Sequence, residues 1–578
     1  MLFKIKLHIF KALAATAIIA MTASTTMAMT GFTVNGSPAH YDATWGTFLV
    51  TVPQECFSNN LEATINSTDN CHVIEIDNAA VADDGFFTFS NISPTSSWAV
   101  KWVNEQGDTL NSTLEFTHLP IVQLEGNPGY EYSPTAVTLT EPGKGTSQPM
   151  TAKVKWRGNT TNLDGKYKRN YSIKFVYENG DSQNRKLLNM RRDNHWILDA
   201  GQADMARVRN RVATELWLDM SPPPYYYDQA PDVLTGARGE MVEVFLGDNY
   251  RGIYALTEAM DRKQMQLVKH DTINNVFHGG LWKTSEYNSY TGFRDTIPFD
   301  DSKPAYRGFI TEYPDFEEVH PTSYQVLYDA IDAMVRSESL DTFNLLFEQH
   351  FDVPVMIDYV IFVLTLNAND NEPRNIFWAV WDRQIDKRLS LGVWDLDATV
   401  GQSWSLSEAW RPPIVAPDFL RKPYCWMFKF LMNYKCKFNK DFLDRYHELR
   451  QSWLSYDALA SRYCDKIDLL INCGAAAREM RRWNVPESDT GGHLLNFEEE
   501  KQYICQWFAT RLPLLDKFVE HHACDTNDDG VVNAADITKV YNNILFEQDF
   551  DTLSDVNYDG YINAADITCI YNFILFGE

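Results

Sequence analysis

The stretch Asn369-Asp370-Asn371-Glu372-Pro373-Arg374-Asn375, with Trp394-Asp395-Leu396-Asp397 and Gly401 downstream, decides how this chain folds. A carboxylate that orients a hydroxyl, an amide oxygen that helps hold a metal ion and a second carboxylate on that ion are what an Mg²⁺–nucleotide site requires. The spacing from Asp370 to Asn375 is Asp-x-x-x-x-Asn. Asp and Asn are also common in turns, so the pattern draws its weight from its neighbours. Upstream lie Arg157-Gly158-Asn159-Thr160-Thr161, then Lys168-Arg169-Asn170-Tyr171-Ser172-Ile173-Lys174, then Val208-Arg209-Asn210, then a segment ending at Glu258. Residues 151–157 and 171–177 read as strands. Residues 240–246 and 252–257 flank Gly247-Asp248-Asn249 and predict a hairpin, with a helix expected over 203–218. From 415 to 520 the pattern is helical: Tyr503, Ile504, Trp507, Phe508, Leu512 and Leu515 recur at three- and four-residue steps.

Outside this region, length and composition bound the answer. A chain of 578 residues is too long for one core and implies several domains. An apolar fraction of 44% with 13% aromatics supports packed cores. The net charge of −27 disfavours nonspecific contact with nucleic acid or anionic lipid. Residues 1–28 read as an export signal. Lys4, Lys6 and Lys11 precede a short apolar run at 12–21, and Thr26-Met27-Ala28 offers small residues for cleavage after Ala28. That run is too short to span a bilayer, so the expected product is secreted, acidic and soluble. Nine cysteines are too few for a disulfide scaffold. Cys56 and Cys71 could close a hairpin. Cys425, Cys436, Cys464, Cys473 and Cys505 lack metal-ligand spacing and read mostly as buried apolar residues. Residues 29–117, rich in Thr, Ser and Asn with strand-like runs at 46–52 and 97–103, read as a small β-sandwich, Ig-like, acting as a spacer.

The tail carries a repeat in which Asn-Ala-Ala-Asp-Ile-Thr occurs at 533–538 and again at 563–568. Asp525, Asn527, Asp529, Asn533 and Asp536 occupy loop positions 1, 3, 5, 9 and 12, with Gly530 at the sharp turn of position 6. Asp555, Asn557, Asp559, Asn563 and Asp566 repeat this around Gly560. Hard oxygens at these steps, completed by the carbonyls of Val531 and Tyr561, suit two Ca²⁺ ions. Each loop runs into an apolar stripe: Ile537, Val540, Tyr541, Ile544 and Leu545, then Ile567, Ile570, Tyr571, Ile574 and Leu575. The stripes are expected to pack together. Lys539 is the sole base among the acidic residues of this tail, so folding is expected to require the metal.

Two resemblances follow from these motifs. The tail closely resembles a bacterial type I dockerin, with Asp rather than the Glu of a regulatory EF-hand at position 12. That implies docking to a cohesin module of a scaffoldin or cell-surface protein, through Ala534, Ala535 and Thr538 or their duplicates Ala564, Ala565 and Thr568, in either of two orientations. The order Arg-Gly-Asn, Lys168, Arg-Asn, Asn375 and Trp-Asp-x-Asp resembles the CotH family, the spore-coat protein H kinases, whose fold is an atypical protein-kinase-like one. The resemblance implies that Lys168 meets nucleotide phosphates, that Arg157, Gly158 and Asn159 belong to the loop covering them, that Asp370 is the catalytic aspartate, and that Asn375 and Asp395, with Asp397 assisting or capping a turn, hold Mg²⁺ or Mn²⁺ with ATP. Arg209 and Asn210 would brace the site, Trp394 would sit in the core, and Glu258 is either structural or an adenine contact. The family often has glycine and an aromatic after the catalytic aspartate, where this chain has Asn371-Glu372-Pro373.

The expected fold class is therefore multidomain: a β-sandwich, an α/β kinase-like domain with a helical C-terminal lobe, and a small all-α calcium-binding module. The expected boundaries are 1–28, 29–117, 118–520 and 521–578. The expected function is γ-phosphoryl transfer from ATP to Ser or Thr by an exported, scaffold-tethered protein. The alternative is a non-catalytic or carbohydrate-binding component of a cellulosome-like polysaccharide-degrading complex.

Overall fold

Runs of Val, Thr and aromatic residues punctuated by Asn-Gly and Gly-Asp turns make the amino-terminal part of the chain strand after strand. The structure, a computed structural model, describes residues 30–578 except 69, 159–161, 163–166, 297–304, 316–323, 338, 404–410, 412–425, 434–435, 486–491, 521–522, 528, 530, 547–550, 558–560 and 577–578. The export signal, Asn159, Cys425, Gly530, Asp559 and Gly560 thus lie outside the described residues. The chain divides into two units. One comprises Met1–Ala200, Glu240–Leu256 and Leu469–Asp489; the other comprises Gly201–Gly239, Thr257–Asp468 and Thr490–Glu578.

The first unit begins with nine strands: β1 (Thr30–Val34), β2 (Ser37–Asp42), β3 (Thr47–Thr51), β4 (Leu61–Asn66), β5 (Cys71–Ile76), β6 (Ala79–Ala80), β7 (Phe86–Phe89), β8 (Trp98–Asn104) and β9 (Thr109–Thr117). They form one sheet in the order β6-β5-β8-β9-β3-β2-β1-β4-β7. Phe89 on the β7 edge nevertheless packs on Trp98 of β8 and Phe116 of β9, with ring centroids 5.3 and 5.0 Å apart. The sheet therefore curls back on itself as one continuous ladder around Phe32, Phe48, Val50 and Trp102, in place of the expected sandwich of two packed sheets. Cys71 is buried in this core, and both it and Cys56 are free thiols.

The same unit continues with β10 (Ile121–Gly126), β11 (Ser133–Glu141), β12 (Gly145–Thr146), β13 (Met150–Arg157), β14 (Asn170–Phe175), β15 (Arg185–Lys186), β16 (Arg192–Asp193), β17 (His195–Asp199), β18 (Gly239–Leu246) and β19 (Asn249–Glu258). The order β10-β18-β19-β17-β14-β13-β11-β12 carries an additional β10–β11 pairing, which closes seven strands into a barrel. Leu124, Val137, Val154, Ile173, Trp196 and Val244 fill it. The Gly247-Asp248 turn joins β18 to β19 as the sequence predicts, with Gly247 at φ 55°. The helix Ala475–Trp483 belongs to this unit, far in sequence from the strands it serves.

The second unit holds a five-stranded antiparallel sheet, β21-β22-β20-β23-β24, from β20 (Gly280–Thr284), β21 (Ala305–Tyr306), β22 (Phe309–Tyr313), β23 (Ile376–Val380) and β24 (Ser390–Val393). The helix Val353–Leu366 is apolar all round and buried from Val355 to Leu366, as a central helix must be. The helix expected over 203–218 runs instead from Arg209 to Met220. Asp204 accounts for the later start: its carboxylate accepts from the backbone N–H groups of Ala206 (2.9 Å) and Arg209 (2.6 Å), while Arg207 takes φ 62°.

In the tail, Ala534–Leu545 and Ala564–Phe576 are helices sharing a core of Ile537, Val540, Ile544, Ile567, Ile570 and Phe573. The expected stripes are corrected in part. Tyr541, Leu545, Tyr571, Ile574 and Leu575 are exposed. Two short helices cannot cover so wide an apolar arc; the line 537, 540, 544 meets the partner helix and the line 541, 545 turns outward. No helix among the described residues is long and apolar enough to cross a membrane.

Candidate functional site

Each unit carries one set of the expected residues. In the first, Lys168 lies just before β14, and its side chain is 2% exposed. Its ammonium donates to Glu479 Oε1 at 2.6 Å and to the Ile253 carbonyl at 2.7 Å, and stands 4.9 Å from the Tyr254 ring centroid. Glu479, fully buried, accepts the Ile253 N–H on its other oxygen at 2.8 Å. The pair thus ties strand β19 to the helix Ala475–Trp483. The adjacent Arg478 is held by Glu243 of β18, at 2.8 and 2.9 Å, so the helix is pinned to the barrel by two buried ion pairs in succession. Gly252 makes room for this: it has φ 94°, and a Cβ there would fall 2.0 Å from Glu479 Oε2. Arg157 ends β13 in register with Asn170, and Gly158 follows at φ 102°. Glu479 was missed in the sequence, because 311 residues separate it from Lys168 and no local spacing links them.

In the second unit, the helix Val353–Leu366 ends at Asn367, in the left-handed conformation with φ 52°. The chain then makes a short turn over Asn369–Asn371 that presents Asp370. Asp370 Oδ2 accepts from Asn375 Nδ2 at 2.8 Å, and Arg374 approaches Oδ1 at 3.4 Å. Burial pushes the Asp370 carboxyl up to about 6; the Asp395 charge adds to the rise, and Arg374 and Asn375 oppose it. Asn371 Nδ2 donates to the Trp394 carbonyl at 2.7 Å, which joins the Asp370 turn to the Asp395 segment. Asn210 Oδ1 accepts from Leu396 N at 3.0 Å and holds that segment from the other side. Asn375 and Asp395 both take φ 58°. Non-glycine residues in this region concentrate where function over-determines the backbone. Asp397 is half-buried two residues on.

Three other expectations find their places here. Arg209 is fully buried between Asp204 (2.7 Å) and Glu500 (2.9 Å) and braces the fold. Glu258, 1% exposed, binds Arg238 and accepts from Gln264 Nε2, which is a structural role. Trp394 is half-buried edge-on to Phe377, with the Lys283 ammonium 5.5 Å from its ring centroid.

The donor set fits a hard cation. Asn375 spends its amide nitrogen on Asp370, leaving oxygen as the atom for a metal. Asn369 Oδ1 and Asn371 Oδ1 in the same turn are buried without a hydrogen-bond partner, so the loop offers more oxygen donors than the chain itself satisfies. No group of three or more His, Cys, Asp or Glu side chains poised on a metal occurs among the described residues. Carboxylate and amide oxygens are the donor types that Mg²⁺ takes.

The tail loops are preorganised around their carboxylates. Asp536 is fully buried; its Oδ1 accepts from Asn527 N at 3.0 Å and its Oδ2 from Asn533 N at 2.8 Å. Asp566 repeats both contacts, with Asn557 N and Asn563 N. Asn533 and Asn563, expected as ligands, also cap the following helices, accepting from Ala535 N and Ala565 N at 2.8 Å. Asp525 and Asp555 are buried at the loop starts. A chain of oxygens wrapped inward by successive backbone donors suits Ca²⁺.

A buried cation–carboxylate pair on a barrel, an Asp370–Asn375 turn in the second unit and twin Asx-rich loops in the tail describe a multidomain protein. Family comparison agrees. The family described as CotH kinase protein matches residues 154–515, and the type I dockerin domain matches residues 523–575. The chain belongs to the CotH kinase protein family and carries a C-terminal type I dockerin, a calcium-binding domain. No curated protein gives a significant match.

Proposed function

We propose that this chain is an exported kinase that transfers the γ-phosphoryl group of ATP to a Ser or Thr hydroxyl of a protein, tethered by its dockerin to a cohesin-bearing scaffold. The observation that carries the reading is the buried Lys168–Glu479 pair at 2.6 Å. A lysine held by a helix-borne glutamate is the arrangement that kinases use to position a phosphate-binding ammonium. Bound ATP with Mg²⁺ or Mn²⁺ would supply the transferable group and neutralise its charge. Lys168 would bind phosphate oxygens, with Arg157, Gly158 and Asn159 covering them. Asn375 and Asp395, with Asp397 beside them, would hold the metal ion. Asp370 would orient the acceptor hydroxyl and take its proton, a task suited to a carboxyl held near 6. In the tail, Asp525, Asn527, Asp529, Val531, Asn533 and Asp536, and the matching Asp555, Asn557, Asp559, Tyr561, Asn563 and Asp566, would hold one Ca²⁺ each. Exposed Leu545 and Leu575 would add apolar area beside the Ala-Ala-Thr docking contacts. Thermal unfolding of residues 29–520 with and without ATP and Mg²⁺, beside Asp395→Ala, tests the nucleotide site. A metal-dependent rise that the variant lacks supports the reading, and no rise at millimolar ATP refutes it.

A second reading, binding of a carbohydrate, draws on one feature. A cleft of about 650 Å³ at the barrel rim is lined by Lys144, Tyr177, Gln183, Asn184, Arg185 and Arg192 among others, with the Tyr177 ring half exposed. An aromatic face, amides and guanidinium groups are the chemistry of an acidic sugar site. Pull-down on insoluble acidic polysaccharide, with Tyr177→Ala as control, tests it.

A further inference from the structure

Cys464 stands on the helix Tyr456–Asn472 and Cys505 on the helix Phe497–Glu520. The helices meet along one antiparallel seam. The Tyr463 and Phe508 rings pack with centroids 5.5 Å apart, Lys501 Nζ meets Asp468 at 2.6 Å, and the two sulfurs lie between these contacts, 2.9 Å apart. That is closer than unbonded sulfur atoms pack, and both residues are free thiols. Both are only half-buried, which leaves them open to an oxidant. Burial and the neighbouring sulfur push the Cys464 thiol up to about 12, and the two sulfurs are held together on a seam that other contacts already fix.

The Cys505 helix has a further task. Tyr503 donates to the Gly401 carbonyl at 2.7 Å, and a Cβ on Gly401 would fall 2.4 Å from the Trp507 ring. Glu500 grips Arg209, whose other contacts include the Val400 carbonyl at 3.4 Å. One face of this helix is thus the buttress of residues 400–401, directly after the Asp395 and Asp397 segment.

We propose that Cys464 and Cys505 form an oxidation site, a disulfide that fastens the helix bracing the 395–401 segment. The oxidant is of the dithiol–disulfide exchange class found in export compartments. One cysteine thiolate attacks a sulfur of the oxidant disulfide and expels the other as a thiolate. The second cysteine then attacks the mixed disulfide, forming the Cys464–Cys505 bond and releasing the oxidant as a dithiol. Two electrons and the two cysteine protons pass to the oxidant. The bond itself stands independently of the kinase reading; only its consequence for the metal segment rests on that reading.

The test is peptide mapping of the full chain, incubated with glutathione disulfide, denatured and alkylated without reductant. The expected result is a linked peptide pair containing Cys464 and Cys505, which reduction converts to two alkylated peptides. The thermal unfolding midpoint of the wild type is expected to fall by several degrees on reduction, and that of the Cys464→Ser/Cys505→Ser variant to be insensitive to it. Alkylation of both residues in the unreduced, oxidant-treated protein overturns the site. A wild-type midpoint unmoved by reduction overturns the fastening role even where the bond is found.

Discussion

At the scale of single residues, the role proposed for Asp370 would set function against stability. Its carboxyl titrates near 6 in the folded protein and at about 3.8 as a free side chain. The folded state therefore favours the neutral acid. The stabilisation this group confers is whole below pH 3.8 and lost as pH rises through 6. Asp370→Asn is expected to raise stability at pH 7 by about 1–3 kcal/mol, read from denaturant midpoints. The same change is expected to lower phosphoryl transfer about 10²–10⁴-fold. Wild-type transfer is expected to rise with pH through about 6 as Asp370 becomes a base. Lys168 and Glu479 behave differently. Removing one partner of a buried pair strands the other charge, so Glu479→Gln or Lys168→Met is expected to cost about 3–5 kcal/mol. Lys168→Met with Glu479→Leu should recover much of that stability by calorimetry and remain inactive, which separates a catalytic lysine from a structural one.

At the scale of elements, the helix Ala475–Trp483 depends on a missing side chain. Gly252 combines φ 94° with an approach of 2.0 Å between a would-be Cβ and Glu479 Oε2. Gly252→Ala is expected to destabilise the first unit by more than about 1–3 kcal/mol, since strain and displacement of the carboxylate add. The tail helices depend on their loops in the same way. Asp536 and Asp566 receive backbone N–H groups from both ends of their loops, so each carboxylate is a knot between loop and helix. Asp536→Ala with Asp566→Ala is expected to abolish calcium-induced helicity by circular dichroism, where either change alone leaves one loop competent.

At the scale of the whole molecule, the charge of −27 and the acidic tail make divalent ions the controlling variable. Chelation with EDTA is expected to unfold the tail and expose it to protease, leaving a resistant fragment ending near residue 520, while the unfolding of the remainder is unchanged. Excess calcium restores the full-length band. If the whole chain unfolds on chelation instead, the tail is not an independent folding unit.

Much of this was legible in the sequence because it is local. The calcium loops are oxygens at fixed steps along one short segment, the β18–β19 hairpin is two strands about a Gly-Asp turn, and Asp370 and Asn375 share one turn. Periodicity likewise marked the long helix ending at Glu520. What only the tertiary structure decided is what depends on residues brought together from afar. Glu479 reaches Lys168 across 311 positions, Cys464 meets Cys505 across a helix seam, and the β10–β11 pairing closes the barrel. The outward turn of Tyr541 and Leu545 belongs with these, since an apolar stripe in sequence does not say how much of it a partner helix can cover. Local spacing is set by covalent geometry and is written in the chain. Burial and long-range pairing are set by packing, and they exist only once the chain has folded.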